Sequence, residues 1–281
     1  MHRLAVTLLC VFLLSPAVLA CTGVVIARQG EVVVGGNEDW VRWDSYMWAT
    51  AATESVHGVI YFGYEIRDEW GDRPAFWYEF QGINDCGLYF DSFGAPCVTP
   101  MSTLANPWRG EHLMVDAMEG CESVAEAVHL FESSDLRFMS CQQFLFVDHE
   151  GNAAVVEGDE TVWMTDGIFA VTNFYLSDPS LGNAPCWRYD GAVSGLAEDA
   201  TPSCERIAEL LEGASHPATR YSVACDLVRG VVRLYYAHNF DRWATIDVAE
   251  LCETGCDKVS IQPLIADASP SPAEDGAGSE E

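Results

Sequence analysis

The first cysteine of the mature chain is the feature that most constrains how this protein can fold. Residues 1–20 read as a secretory leader: Arg3 is the charged head, Leu4 to Leu14 the apolar run, Pro16 the breaker, and Val18-Leu19-Ala20 fits the small-residue cleavage rule. Cys21 follows at once and opens a strand-like run, Cys21-Thr22-Gly23-Val24-Val25-Ile26, with no spacer between leader and fold. Cleavage after Ala20 gives Cys21 a free α-amine beside its thiol, so that one residue holds both a nucleophile and a base. The leader's apolar run is shorter than the roughly 20 residues that span a bilayer, and no later stretch approaches that length. The mature chain is therefore expected outside the cytoplasm, periplasmic or secreted.

The 281 residues include 14 basic and 43 acidic ones, a net charge of −29. Without Arg3 the balance is 13 against 43, or −30. Such a surface repels polyphosphates and anionic lipid, which argues against nucleic-acid binding and stable membrane association. Lys258 is the sole lysine, a composition suited to high salt, where screening relieves self-repulsion. Residues 21–265 are long enough for one large core, and no Pro/Ser-rich linker divides them, so a single domain is expected. Residues 266–281 hold five acids and no base and read as a disordered tail. Homo-oligomerisation is left open.

Ten cysteines lie beyond the leader. An oxidising compartment favours pairing, and with Cys21 kept as a free thiol the other nine allow at most four bridges. Cys252-Glu-Thr-Gly-Cys256 has no second ligand pair at metal spacing, and His57, His112, His129, His149, His216 and His238 are scattered without a ligand motif. No metal is expected. A G-x-S-x-G elbow, a P-loop and a dinucleotide fingerprint are also missing, and amide thiolysis needs no cofactor.

Strand signals cover Val24 to Ile26 and Val32 to Val34 around Gln29-Gly30-Glu31, then Gly58 to Tyr64, Phe76 to Ile83 and Gly87 to Phe93. Helices follow over His112 to Met118 and after the capping box Ser123-x-x-Glu126. Strands resume at Gln143 to Asp148, Ala153 to Glu157, Val162 to Thr165 and Gly167 to Phe174. Helical patterns return at Trp187 to Leu196, after Thr201-Pro202 as far as Gly213, and at Tyr221 to Leu227. Val232 to His238 is a final strand. Runs of strands and runs of helices predict an α+β layered fold with mainly antiparallel sheets.

A three-residue hairpin loop centred on Gly30 would place Asp39 directly opposite Cys21, with Cβ atoms about 5 Å apart. Nucleophile, amine and acid then meet without any tertiary assumption. The α-amine titrates near about 7.7 to 8 and a free thiol near about 8.5, so a proton can pass from sulfur to nitrogen at small cost. Trp40, Trp43, Tyr46 and Trp48, just after Asp39, could line an apolar acyl pocket or be ordinary core.

Four motifs occur in order: Cys21-Thr-Gly with Gly35-Gly36-Asn37-Glu38-Asp39; Gly82-Ile-Asn84-Asp-Cys-Gly87-Leu88; Val171-Thr172-Asn173; and Trp187-Arg188-Tyr189. Together they resemble the choloylglycine hydrolase and penicillin V acylase family, N-terminal-nucleophile hydrolases of linear amides with an αββα sandwich fold. The resemblance implies that Cys21 is the nucleophile and its α-amine the base, with Asp39 as the acid partner in the family's Gly-Arg-Asn-x-Asp. It implies that Asn173 donates its side-chain amide to the oxyanion, that the backbone N–H of Gly94 is the second donor, and that Arg188 is the late catalytic arginine. The implied substrate is a small-molecule N-acyl amide.

The chain departs from the family pattern at Gly36, where the family has arginine, and at Cys86, where it has lysine. Those departures place the reaction class ahead of the substrate, and bile-salt and penicillin hydrolysis are in doubt. Three alternatives stay open: an acyltransferase using the same chemistry; a catalytically lapsed or lipid-anchored binding protein on the same scaffold, since Val18-Leu19-Ala20-Cys21 passes a loose lipobox; and a disulfide-stabilised interaction domain.

Overall fold

The hairpin that begins at Cys21 lies at the centre of the molecule. In the computed structural model, residues 21–40, 44–66, 76–109, 112–182 and 184–266 are described. The leader, Trp43 and the tail beyond Ala266 lie outside them. Strands β1 (Thr22–Arg28) and β2 (Glu31–Asp39) pair from Arg28 opposite Glu31 to Thr22 opposite Asn37. Their turn has two residues, Gln29 and Gly30, at φ 59° and 80°. Two left-handed residues make the turn that matches the twist of the flanking strands. The three-residue loop expected from the sequence is thus one residue too long. The register shifts by one, and Cys21 faces Glu38, not Asp39.

Two antiparallel sheets result. The smaller runs β10 (Ile168–Val171), β1, β2, β11 (Thr219–Asp226), β12 (Val231–Tyr236) and β13 (Asn239–Asp247). The larger runs β14 (Cys256–Ser260), β3 (Ser45–Thr50), β4 (Val59–Ile66), β5 (Phe76–Asn84), β6 (Tyr89–Gly94), β7 (Gln142–Val147), β8 (Ala153–Val156) and β9 (Thr161–Trp163). Helices α1 (Leu113–Gly120) and α2 (Val124–Glu132) cover the outer face of the larger sheet, and α3 (Trp187–Glu198) and α4 (Cys204–Ala214) that of the smaller. The short α5 (Val248–Thr254) and α6 (Ile261–Ala266) touch strands of both sheets.

Alternation along the strands builds the layers. Val24, Ile26 and Val33 point outward to Leu196, Ile207 and Leu211 of the helices. Val25 and Val34 point inward to meet Phe62, Phe93 and Leu145 between the sheets. On the far side, Tyr61, Phe90 and Phe146 pack against Met118, Val128 and Phe131. The order is helix, sheet, sheet, helix, the αββα sandwich expected from the resemblance.

Beyond the hairpin register, the helix expected at Tyr221 to Leu227 and the cap expected at Thr201 fail, and Val232 to His238 is not the final strand, because β13 and β14 follow it. Tyr221 to Leu227 is no helix: most of it is β11, a central strand buried on both faces, and a short apolar run covered on both sides shows no period to separate strand from helix. The cap of α4 is Ser203, whose Oγ accepts from Arg206 N–H at 3.1 Å, in place of Thr201. Among the described residues one disulfide forms, Cys97–Cys141, and the other cysteines, Cys21 included, are free thiols. No helix among the described residues is long and apolar enough to cross a membrane.

Phe131 is fully buried and meets Phe144 and Phe146 at ring-centroid distances of 5.7 and 5.2 Å. Phe131→Ala should lower unfolding stability by about 3–5 kcal/mol, read by chemical denaturation. A loss below about 1 kcal/mol would mean that α2 does not clamp the larger sheet as described.

Candidate active site

Cys21 stands just before β1, and both neighbouring strands bring a polar residue to it. Continued past its last pair, the β1–β2 ladder sets Glu38 against Cys21, and the β1–β10 ladder, where Gly23 faces Val171, sets Asn173 on the other side. Cys21 Sγ–H donates to Glu38 Oε2 at 3.4 Å, and the residue is 2% exposed. Arg188, in the first turn of α3, is also buried. Its Nη1 donates to the Cys21 carbonyl at 2.6 Å and to Thr22 Oγ1 at 3.0 Å, and its Nη2 to Asn173 Oδ1 at 3.1 Å. Asn173 Nδ2 in turn donates to the carbonyl of Gly94 at 2.9 Å, at the end of β6. A side-chain amide carries two N–H donors, so one hydrogen of Asn173 remains for a further acceptor.

Asp39 joins this network through Arg188, whose Nη1 lies 4.0 Å from Asp39 Oδ2, and not through direct opposition to the thiol. Thr219 Oγ1 donates to Asp39 Oδ1, and His216 Nε2 lies 2.9 Å from Oδ2. All four side chains singled out in the sequence thus belong to one cluster, and Gly94 joins it through its carbonyl and not through the N–H expected to serve as a donor. Glu38, His216, Thr219 and Asp91 were not singled out. A two-residue turn would have pointed to Glu38, whereas His216 and Thr219 reach Asp39 across some 180 residues with no local signal.

The wall facing Cys21 across the inter-sheet gap is acidic. Gln81 Nε2 donates to Asp91 Oδ2 at 3.0 Å, and a Cβ on Gly36 would fall 2.0 Å from that oxygen and 2.5 Å from Gln81 Nε2. A side chain at position 36 would have to displace the ends of Asp91 and Gln81, which occupy the space. Burial pushes the Cys21 thiol well up, the charges of Glu38, Asp39 and Asp91 add to this, and a backbone hydrogen bond from Asp39 works the other way. Burial and the neighbouring Asp91 likewise raise Glu38, and burial raises Asp91 against hydrogen bonds from Gln81, Tyr89 and the Ser92 backbone. A cavity of about 500 Å³ lies among the segments that follow β6, β8 and β10, lined by Glu157, Asp159, Glu160, Asp178, Tyr175 and Leu181 among others, and Cys21, Gly94 and Asn173 are not part of its lining. Of the expected aromatic cluster, Trp40 stacks on Tyr64 and Trp48 packs near Tyr61. The donors that could hold a metal, His57, Cys86 and Glu122, lie outside this network.

No family sequence model and no curated protein matches the chain. Solved structures do. The penicillin V acylase from Agrobacterium tumefaciens superposes with a TM-score of 0.62 at 14% identity, covering 83% of this chain and 87% of that one. A single-residue mutant of the conjugated bile acid hydrolase from Clostridium perfringens gives 0.55 at 13%, covering 85% and 96%. The N-acylethanolamine-hydrolyzing acid amidase ortholog of Caenorhabditis elegans gives 0.51 at 12%, covering 74% and 93%. At such identities the likeness establishes the architecture: the chain has the N-terminal-nucleophile hydrolase fold.

Glu38 and Asp91 have folded-state pKa values raised above their unfolded ones. Their contribution to stability is therefore full below the ordinary carboxylate range and fades as pH rises through the raised values. Glu38→Gln should lose this part of the pH dependence, so that its unfolding midpoint gains on the parent protein as pH is raised from 4 to 8. The thiol should also alkylate at lower pH, since one source of repulsion on the thiolate is gone. Parallel stability curves would show that Glu38 titrates alike in the folded and unfolded chain, and an unmoved alkylation profile that it does not repel the thiolate.

Proposed function

We propose that this chain is an exported cysteine amidohydrolase of the N-terminal-nucleophile type, cleaving a linear, non-peptide C–N amide of an N-acyl substrate through a thioester. The observation that carries the reading is the grip of one guanidinium on both the Cys21 carbonyl and the Asn173 amide, with Asp39 close behind it. Residues that are 15 to 167 positions apart meet at the start of β1, where removal of the leader would create an amine.

In this reading the α-amine takes the Sγ proton, and the thiolate attacks the substrate carbonyl, forming a C–S bond. The oxyanion accepts from the remaining Asn173 N–H and from a backbone N–H at the Gly94 end of β6; one such donor is typically worth about 10²–10³-fold in rate. The α-ammonium protonates the departing amine as the C–N bond breaks. Water then opens the thioester, giving its proton back to the amine and releasing the carboxylic acid. Arg188 holds the Cys21 backbone so that sulfur and nitrogen face the substrate, and Asp39 with His216 holds Arg188. The acids that oppose the thiolate favour the ammonium, so the proton transfer is helped on one side while it is hindered on the other.

The carboxyl groups of Glu157, Asp159, Glu160 and Asp178 that line the cavity favour neutral or cationic substrates over anionic ones. The bile acid hydrolase named above acts on conjugated bile acids, which are anionic, and a different substrate is proposed here. In a panel of N-acyl amides, kcat/KM should be higher for neutral and cationic members than for conjugated bile acids, and added salt should narrow the gap. Preference for the anionic members would overturn the substrate assignment while leaving the chemistry standing.

Mass measurement of the mature protein should find Cys21 at its terminus with a free amine. A diacylglyceryl or N-acyl group there would exclude the mechanism and favour an anchored binding protein. Cys21→Ser should fold normally and lose amide turnover by about 10³-fold or more. Undiminished turnover in that variant would refute the nucleophile.

A further inference from the structure

Three segments distant in sequence meet on the α1–α2 side of the larger sheet: the residues before β4, the β5–β6 turn, and the junction of α1 with α2. Backbone hydrogen bonds lock them together. His57 N–H donates to the Glu119 carbonyl at 2.9 Å, and Asp85 N–H to the Gly58 carbonyl at 3.0 Å. Asn84 Nδ2 donates to the carbonyls of Met118 and Cys121 at 3.0 and 2.9 Å, while Asn84 Oδ1 accepts from the N–H groups of Cys86 and Leu88. Glu126 Oε2 accepts from Glu122 N–H at 2.8 Å and fixes the entry to α2.

This frame holds an imidazole, a thiol and a carboxylate together. One donor atom from each of His57, Cys86 and Glu122 lies within 4.8 Å of the other two. Cys86 Sγ is 3.4 Å from His57 Nδ1 and 3.9 Å from Nε2, and Glu122 Oε1 is 3.9 Å from Nε2. Zinc bonds of about 2.0–2.3 Å in tetrahedral geometry put neighbouring donors about 3.3–3.7 Å apart, so the two pairs at 3.9 Å close in by up to about half an ångström and the thiol and the exposed Glu122 carboxylate by up to about an ångström and a half. Asp85 supplies what a ligating histidine usually has, a carboxylate on its ring: Oδ1 lies 2.8 Å from His57 Nδ1, and Oδ2 is anchored by Gly58 N–H at 3.1 Å.

We propose that His57, Cys86 and Glu122 form a zinc site, with Asp85 orienting the imidazole and solvent in the fourth position. Rotation of the half-buried imidazole turns one nitrogen to the metal and leaves the other to Asp85. Cys86 binds as thiolate and releases its proton to solvent, the imidazole binds neutral, and Glu122 binds as carboxylate. One thiolate and one carboxylate balance the dication, and thiolate with imidazole selects zinc over magnesium or calcium. The site staples a turn, a strand start and a helix junction, and it takes no part in the reaction proposed at Cys21.

The test uses the full mature protein, stripped with a chelator and titrated with Zn²⁺ and with Co²⁺ as a spectroscopic substitute. One equivalent should bind, Co²⁺ should show a thiolate charge-transfer band, and Zn²⁺ at about a hundredfold excess over Kd should raise Tm by about 5–10 °C. Cys86→Ser and His57→Gln should abolish the band and the Tm gain, and Cys252→Ser should keep both. Asp85→Asn should weaken binding by about 10- to 100-fold. Should either ligand variant fail to fold, Glu122→Gln, whose side chain is 70% exposed, should still weaken binding in a folded protein. Absence of stoichiometric binding, a band that survives Cys86→Ser, or Cys86 in a disulfide in the native protein would each overturn the site.

Discussion

The arrangement around Cys21 depends on one buried guanidinium. Arg188 leaves α3, crosses to the start of β1 and meets the Cys21 carbonyl, Thr22, Asn173 and the vicinity of Asp39 at once. An arginine with so little exposure is tolerable only when its donors are used and a countercharge is near. Asp39 provides the charge, and Thr219 and His216 hold Asp39 in place. The outer helix layer, the first strand, the loop after β10 and the end of β2 are thereby fixed relative to one another. Without that tie the first residue of β1 would be a fraying strand end.

The second constraint is electrostatic and sits between the sheets. Glycine at position 36 lets Asp91 come within side-chain distance of the β2 backbone, and Glu38 completes an acidic lining that faces the thiol. Where the resembling family has an arginine, this chain has a glycine, and Asp91 and Gln81 occupy the adjoining space. Carboxyl and amide groups thus stand beside the nucleophile where that family has a guanidinium. A site so altered would keep the geometry of its nucleophile while presenting a different face to the substrate.

Much of the architecture was legible because it rests on local pattern. Val24 to Ile26 and Val32 to Val34 around a glycine announce a hairpin, and Ser123 and Glu126 announce the start of α2, as the structure shows. The register failed by one because Gln29 adopts a left-handed conformation that only Gly30 advertised. Tyr221 to Leu227 does not announce its strand, because a strand covered on both faces loses its alternation. Asn173 and Arg188 came from motif order alone, and neither periodicity nor spacing would have placed them together. His216 and Thr219 behind Asp39, and Glu122 beside His57 and Cys86, are tertiary coincidences that no window of sequence contains.

These two constraints give the leader a physical role in the proposed chemistry. While Cys21 is still joined to Ala20 its nitrogen is an amide, with no basicity, and burial together with the surrounding carboxyls keeps its sulfur protonated. Cleavage would replace that amide with an amine in the same acidic surroundings, where the ammonium is the favoured form. A positive charge would then stand one residue's width from the sulfur, offsetting the repulsion that had held the thiol neutral. On that account the carboxyls do not weaken the nucleophile. In the proposed mechanism they would make its reactivity conditional on the terminus, so that the precursor would stay inert until the leader is removed.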